Sequence, residues 1–174
     1  MLDLIIKNGQ CYIDGELKEV DVAIQDGKIY KIGQISEEAK ETINAEGQTV
    51  LPGCIDTQTH FREPGSTDTE DLHSGSRAAI AGGITSVFEM PNTNPPTSTK
   101  VEFQKKLDLA RNRMYCNYAF YFGATADNAN ELADLVNLEG CCGIKLFAGS
   151  STGNLLVAEE EDIEKVFQSS SKVV

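Results

Sequence analysis

Basic residues are scarce in this 174-residue chain: 15 lysines and arginines stand against 27 aspartates and glutamates, for a formal net charge of −12. Proteins that bind nucleic acid or an anionic membrane surface through their overall field have the opposite balance. The composition therefore argues against nucleic acid and membrane partners. A small anionic substrate is still compatible with it, provided that a local arginine overrides the global field.

Long apolar runs and paired cysteines are missing as well. No run approaches the roughly 18 residues of a membrane span, and the N-terminus MLDLIIKNGQ lacks the basic segment and apolar core of a signal peptide. The five cysteines are odd in number and none belongs to a C-x-x-C pair, which indicates reduced thiols rather than a disulfide framework. We therefore expect a cytoplasmic protein without a membrane segment.

The first part of the chain, residues 1–51, reads as a series of short strands separated by turn signals. Pairs of Asn or Asp with Gly predict tight turns because these residues tolerate positive φ. Three such pairs are present: Asn8-Gly9, Asp14-Gly15 and Asp26-Gly27. The pattern predicts a small β-sandwich module.

The second part, residues 52–174, alternates buried strands with helical segments, which is typical of a parallel α/β arrangement. Four strand–helix units can be counted, and residues 172–174 read as the start of a fifth strand. A complete barrel of eight units typically takes around 250 residues. We therefore predict the N-terminal half of a (β/α)8 TIM-type barrel, and expect the chain to be part of a larger enzyme.

The most informative stretch is LPGCIDTQTHFREPG, residues 51–65, where an apolar segment ends abruptly in polar side chains. Alternation along a strand would place Asp56, Gln58, His60 and Arg62 on one face. Polar residues at the C-terminal end of a barrel strand lie at the rim where such folds carry out their chemistry. Taken alone, a single strand histidine is more often a satisfied core or rim residue than a metal ligand.

This stretch resembles the metal-site signature of the amidohydrolase superfamily, and its HFREPG ending is similar to that of dihydroorotases. The resemblance continues in register through GITSVFEMPNTNPPT, residues 83–97, and GIKLF, residues 143–147. It implies a cyclic amide hydrolase that interconverts N-carbamoyl-L-aspartate and L-dihydroorotate in pyrimidine biosynthesis. The family's general base, an aspartate, is expected beyond Val174, so we expect no catalytic residue within this chain and no activity from these residues alone.

The resemblance also implies a site for one or two Zn²⁺ ions. His60 is the available imidazole, and Lys145 matches a family lysine that is carbamylated and bridges two metals. Addition of CO2 turns an ammonium into a carboxylate-like ligand, which requires a lysine that can lose its proton in a buried site. The alternative for Lys145 is an ion pair with Asp56 or Glu89.

Gln58 departs from the family pattern, since it stands where the first histidine of a His-x-His pair is expected, and a neutral amide is a weak zinc ligand. Three alternatives follow: a one-metal site, a weakened two-metal site, or a dihydroorotase-like protein that has lost catalysis. His73, the only other histidine, lies too far along the chain to replace the missing ligand, so we expect a structural role for it. With two histidines, the chain cannot complete a metal site of the family type.

Arg62 and Asn92 are the residues that, by the resemblance, hold the carboxylate of dihydroorotate. A planar guanidinium binds a carboxylate through two parallel hydrogen bonds. Arg62 also separates relatives, because hydantoinases lack the HFREPG pattern and allantoinases more often have Asn at this position. The alternatives are an ion pair of Arg62 with Glu63 or Asp68, and a simple turn role for Asn92.

Two other functions stay open. One is a non-catalytic dihydroorotase-like subunit that supports aspartate transcarbamoylase, which Gln58 favours; the other is a different cyclic amidase, such as an allantoinase or hydantoinase. The partners implied are a small-molecule substrate and either a second copy of the chain or aspartate transcarbamoylase. The enzyme hypothesis requires His60, Arg62, Asn92 and Lys145 to converge on one cavity.

Overall fold

The structure is a computed structural model and describes residues 1–151 and 153–174. The chain divides into two compact units, Met1–Pro52 and Gly53–Val174. Each unit contains its own β-sheet and its own cluster of buried apolar side chains.

The first unit is a five-stranded, sandwich-like mixed sheet. Its strands are β1 (Leu2–Ile13), β2 (Glu16–Gln25), β3 (Lys28–Gly33), β4 (Ala39–Asn44) and β5 (Thr49–Val50). The order is β3-β2-β1-β4, and β5 also pairs with β1. The β1–β2 and β2–β3 pairs are antiparallel, whereas β4 and β5 run parallel to successive parts of β1. The long β1 therefore organises the whole unit.

Two of the three predicted turns connect hairpins. Asp14-Gly15 joins β1 to β2 and Asp26-Gly27 joins β2 to β3, and all four residues have positive φ, which confirms these predictions. The prediction for Asn8-Gly9 is wrong, because this pair lies inside β1, where the register with β2 shifts. Asn8 adopts φ 60° there. The same tolerance of positive φ that makes a turn also makes a β-bulge.

The second unit is half of a parallel barrel, as predicted. Its elements are β6 (Cys54–Thr59), α1 (Leu72–Ala81), β7 (Ile84–Glu89), α2 (Lys100–Ala110), β8 (Asn117–Gly123), a 3₁₀ helix (Ala129–Asn137), β9 (Cys141–Lys145) and α3 (Glu160–Ser169). The strands run parallel in the order β6-β7-β8-β9. The predicted fifth strand is not formed, but Ile144 N–H donates to the Val173 carbonyl at 2.8 Å, so the last residues lie beside β9.

The helices begin where the sequence provides side-chain caps. Asp71 caps α1 by accepting from Ser74 N–H, and Thr99 caps α2 by accepting from Glu102 N–H. These oxygens satisfy backbone donors that have no partner in the first helical turn. The helices pack on the sheet over a fully buried aromatic cluster that includes Phe103, Phe120 and Phe122.

The parallel arrangement places the carboxyl ends of β6, β7 and β9 at one rim of the sheet. The segments that follow β6 and β7 carry the residues selected from the sequence. No helix within residues 1–151 and 153–174 is both long and apolar enough to cross a membrane.

Candidate functional site

His60 and Asn92 meet at the rim, although 32 positions separate them in the chain. His60 follows the last residue of β6, and Asn92 lies three residues beyond the end of β7. Nδ1 of His60 is 2.9 Å from Oδ1 of Asn92. An amide oxygen can only accept, so Nδ1 carries the proton and Nε2 keeps its lone pair. The contact therefore leaves one imidazole nitrogen available as a ligand or acceptor.

The surroundings keep this imidazole neutral. Burial lowers the pKa of His60 below its ordinary value of 6.5, and the positive charges of Arg62, Lys145 and Lys106 lower it further. The hydrogen bond to Asn92 acts in the opposite direction and is outweighed. Desolvation and like charge both disfavour the imidazolium form. The same charges indicate that Arg62 and Lys145 lie in the neighbourhood of His60.

Arg62 reaches this neighbourhood by a different route from the predicted one. The strand ends at Thr59, and Arg62 adopts φ 63° in the following turn, so strand alternation does not extend to it. A left-handed conformation costs a non-glycine residue roughly 1–2 kcal/mol, and such strain clusters at functional sites. The Arg62 carbonyl accepts from Ser66 N–H at 3.0 Å, which helps to hold the turn.

The acidic neighbour of Arg62 is engaged elsewhere. Glu63 forms a two-pronged ion pair with Arg113, at 2.8 and 3.2 Å, and accepts from the backbone N–H of Leu72 at 2.9 Å. Among the described residues, no carboxylate lies within ion-pair distance of the Arg62 guanidinium. The alternative in which Arg62 pairs with Glu63 or Asp68 is therefore wrong. Its charge is available to a ligand.

Arg62 and Asn92 line the same pocket, which has a volume of about 320 Å³. The other lining residues are Ser66, Thr93, Asn94, Pro96 and Gly153. The segments that follow β6 and β7 form this pocket. They are joined by a hydrogen bond from Asn94 N–H to the Pro64 carbonyl at 2.9 Å. At Gly65, a Cβ would lie 2.7 Å from the Asn94 carbonyl oxygen, and its φ is +116°. Only glycine fits this crossing without displacement.

Lys145 ends β9 and lies at the same rim. Its Nζ is 5.1 Å from the centre of the Phe147 ring, a cation–π contact. The expected alternatives for this amine do not form in the part of the chain that is described: Glu89 pairs with Lys106, and Asp56 accepts from Gln58 N–H at 3.0 Å. Lys145 is thus half-buried without a carboxylate partner.

The donors present fit part of a metal site. His60 Nε2 is an unprotonated nitrogen of the kind that divalent metals bind, and Lys145 is the second candidate. Gln58 is exposed on β6, and its amide is neutral. Within residues 1–151 and 153–174, no three His, Cys, Asp or Glu side chains are grouped closely enough to hold a metal ion. The chain therefore supplies two candidate ligands rather than a complete shell.

His73, the other histidine, packs edge-to-face against Tyr115 with 5.2 Å between ring centres. It lies in the first turn of α1. This contact agrees with the structural role expected for it.

Sequence reasoning missed the ion pair between Glu89, the last residue of β7, and Lys106 of α2. Both side chains are fully buried. A signal was present: Glu89 is an acid at the end of an apolar strand, and Lys106 lies three residues after Phe103 on the buried helix stripe. Neither charge could be paired with the other before the helix was placed on the sheet.

Comparison with known proteins shows the family to which the chain is similar. The family model described as "Amidohydrolase family" matches residues 49–171. The chain is 39% identical over 163 residues to a dihydroorotase of Methanosarcina mazei, covering 92% of this chain and 36% of that protein. It is 40% identical over 149 residues to an allantoinase of Salmonella choleraesuis, covering 85% and 33% respectively. The chain thus spans about a third of the length of these curated relatives.

Solved structures with the same fold include an L-hydantoinase (dihydropyrimidinase) from Arthrobacter aurescens, with a TM-score of 0.86 and 30% identity. That alignment covers 97% of this chain and 38% of the hydantoinase. The relatives therefore share one fold while their names point to different cyclic amides.

Proposed function

This chain belongs to the amidohydrolase family, and we propose that it forms the N-terminal part of a dihydroorotase. The reaction interconverts N-carbamoyl-L-aspartate and L-dihydroorotate in pyrimidine biosynthesis. Dihydroorotate is a cyclic amide that carries a carboxylate. The observation that carries the proposal is the presence of Arg62 and Asn92 on one pocket, with no carboxylate paired to the Arg62 guanidinium among the described residues.

The two side chains complement a carboxylate in different ways. The guanidinium offers two parallel N–H donors, a geometry that matches both oxygens of a carboxylate. Asn92 uses Oδ1 to accept from His60, which leaves its Nδ2 group as a donor for a substrate oxygen. Asn92 would therefore couple the carboxylate site to the imidazole.

Enzymes of the amidohydrolase family generally use a metal ion, and we propose Zn²⁺ for this one. His60 Nε2 and Lys145 would hold it, with Lys145 as a carbamate: its amine nitrogen bonds to the carbon of CO2 and one proton is released. When bound, a divalent metal would lower the pKa of a bound water to roughly 7 and polarise the carbonyl. The remaining ligands and the aspartate base would come from outside these residues.

In hydrolysis, a water oxygen bonds to the ring carbonyl carbon, the C–N bond breaks and the ring nitrogen takes a proton; ring closure reverses these steps. The residues of this chain would orient the substrate for that attack. Arg62 and Asn92 would fix the carboxylate. His60 would stay neutral at working pH, with Nε2 unprotonated, because burial and nearby cations lower its pKa.

The test is the substrate dependence of Arg62→Ala in the full-length protein. Loss of a charged hydrogen-bonded pair costs about 1.5–3 kcal/mol, so kcat/KM for dihydroorotate should fall roughly 10- to 150-fold. Turnover of an uncharged hydantoin should stay within about threefold of the original, if it is measurable. Arg111→Ala is the matched control, since that arginine is exposed and its ion-pair partner among the described residues is Asp108, at 3.3 Å. Equal loss with both substrates would contradict the proposal.

A different cyclic amidase is the second candidate, because an allantoinase and hydantoinases match this chain as well as the dihydroorotase does. It predicts turnover of allantoin or hydantoin by the unaltered full-length protein at a rate that exceeds turnover of dihydroorotate.

A non-catalytic subunit that supports aspartate transcarbamoylase is favoured by a single residue, the amide of Gln58 at an expected ligand position. Metal analysis of the full-length protein separates it from the enzymes: near-zero bound zinc with retained binding of the transcarbamoylase supports this reading. Stoichiometric zinc excludes it.

The five cysteines are free thiols, which agrees with a cytoplasmic compartment for all three candidates.

A further inference from the structure

The buried pair of Glu89 and Lys106 is unusual in its position. Glu89 ends β7 immediately before the segment that carries Asn92, and Lys106 reaches it from the middle of α2. The two side chains are 1% and 0% exposed. Burying two charges costs desolvation energy that their attraction need not recover, so such a pair is weak evidence of added stability. A role in fixing one conformation is then the better explanation to test.

Lys106 contacts the segment after β7, which carries Asn92. Its Nζ donates to the Met90 carbonyl at 3.0 Å, pairs with Glu89, and lies 5.0 Å from the centre of the Phe120 ring. The carbonyl and the carboxylate are polar partners of the ammonium, and the Phe120 ring faces its charge. Met90 is two residues before Asn92, so the bond fixes the backbone that positions the Asn92 amide.

Glu89 lies next to the segment after β6, which carries His60 and Arg62. Its carboxylate lies near the backbone N–H of Phe61, whose dipole lowers the pKa of Glu89 against the larger effect of burial. Phe61 is the residue between His60 and Arg62. The last backbone bond between the two strands, from Met90 N–H to the Thr59 carbonyl at 3.0 Å, lies beside this contact. Glu89 thus lies beside the backbone where regular strand pairing stops.

We propose that Glu89 and Lys106 are positioning residues, which together fix the backbone at Phe61 and Met90 and so set the mutual placement of His60, Arg62 and Asn92. Neither side chain touches the pocket. An apolar pair could join α2 to the sheet equally well, as Phe103 does one turn earlier. Only polar groups can bind the Phe61 N–H and the Met90 carbonyl, and those two atoms belong to the segments that carry the site.

The consequence for catalysis rests on the proposed function, but the placement itself can be measured without substrate. The Nδ1–H tautomer of His60 exists because Asn92 Oδ1 lies 2.9 Å away. ¹⁵N NMR of the imidazole reports that tautomer in the full-length protein after a chelator has removed any metal, so that no bond to Nε2 fixes the proton on Nδ1. The signal is assigned by its loss in His60→Gln. A protein that fails to turn over dihydroorotate would refute the proposed function and leave this measurement intact.

The decisive variant is the double substitution E89L/K106M, which replaces the charges by apolar side chains of similar volume. Such replacements are often neutral or stabilising, so the unfolding midpoint should stay near that of the original protein. The proposal predicts that the single Nδ1–H tautomer is lost and that the Kd for dihydroorotate rises at least about tenfold. Phe103→Leu is the matched control: it should lower the unfolding midpoint and retain the tautomer.

A double variant that keeps both the tautomer and a Kd within about twofold of the original overturns the proposal. If that variant aggregates, Glu89→Asp carries the test, because it keeps the charge and withdraws the carboxylate by one methylene. The expected result is a partial loss of the tautomer and a Kd raised about threefold or more. An unchanged tautomer and Kd in Glu89→Asp would likewise overturn it.

Discussion

The two units of the chain differ in how exposed their ion pairs are to solvent. In the first unit, ion pairs lie on the surface, as between Asp3 and Lys40 at 2.6 Å, with side chains 35% and 61% exposed. In the second unit, Glu89 and Lys106 are fully buried and bind backbone atoms next to the site. Surface pairs contribute little because water screens them, whereas a buried pair is costly to break. Removing one partner should therefore cost more for the buried pair than for the surface pair.

The units also use positive φ differently. Gly27 has φ +70° in a hairpin of the first unit, with open space where a Cβ would be. Gly65 has φ +116° in the second unit, and there a Cβ would meet Asn94. The first position requires only a backbone conformation; the second also requires a close approach between two segments of the site.

The largest effect should come from breaking the buried pair on one side only. Lys106→Met in the full-length protein leaves the Glu89 carboxylate buried without its partner, which typically costs about 3–5 kcal/mol of unfolding free energy. Amide hydrogen exchange, read separately over each unit, is the measurement. Lys40→Met is the matched surface variant and should leave exchange in the first unit unchanged. Equal effects of the two variants would mean that burial is not what distinguishes them.

The next effect should come from the two glycines. Gly65→Ala combines a left-handed conformation, roughly 1–2 kcal/mol, with overpacking of roughly 1–3 kcal/mol, so we expect a loss of about 2–5 kcal/mol. Gly27→Ala should show the first cost alone. Urea unfolding followed by exchange measures both. A Gly65→Ala protein no less stable than Gly27→Ala would show that the segments at Asn94 move apart freely.

A smaller effect is expected from the helix caps, which the first unit does not need. Thr99→Ala removes the oxygen that accepts from Glu102 N–H at 3.1 Å, and loss of such a cap costs about 1 kcal/mol. Thr42→Ala on the exposed β4 should change stability by less than about 0.5 kcal/mol. The unfolding midpoints of both variants provide the measurement. Identical midpoints would indicate that another group replaces the cap.

The smallest effect is a difference in pH dependence. Burial raises the pKa of Glu89 from 4.5 to about 7, so its folded state binds a proton more tightly than its unfolded state. Its contribution is fully present below pH 4.5 and is lost as the pH rises through 7. The pKa of Asp3 is instead lowered from 3.8 by its bonds to Lys40 and Asp26, so its contribution is lost as the pH falls below 3.8.

Stability measured against Glu89→Gln and Asp3→Asn should therefore change with pH in opposite directions. The Glu89 difference should vary between pH 4.5 and 7, and the Asp3 difference should vary only at more acidic pH. Parallel pH profiles for the two variants would contradict the assignment of opposite shifts.

Much of the architecture could be predicted because its determinants are local. The hairpins at Asp14-Gly15 and Asp26-Gly27 depend on φ preferences of adjacent residues, and the half barrel depends on alternating strands and helices. Asn8-Gly9 shows the limit of such reasoning, since the same preference permits a bulge within β1. The choice between turn and bulge depends on the partner strand, which lies elsewhere in the chain.

For the candidate site, the sequence predicted which residues take part but not how they are arranged. The strand end drew attention to His60, and the resemblance to dihydroorotases selected Arg62, Asn92 and Lys145, because motif order is a property of the sequence. Their arrangement was not predictable: Arg62 leaves the strand alternation at φ 63°, and Glu63 is taken by an arginine 50 positions away.

The order of strands and helices, the hairpin turns, the helix caps and the identity of the polar rim residues were determined by the sequence itself, because each depends on neighbouring residues. Only the tertiary structure decided which charges are paired, which one is left for a ligand, and which backbone atoms the buried pair of Glu89 and Lys106 binds. The pairing of Glu89 with Lys106 depends on the energy of desolvation, because these charges are desolvated only when α2 packs on the sheet. Arg62 is left for a ligand because Glu63 pairs with Arg113, which is distant in the chain.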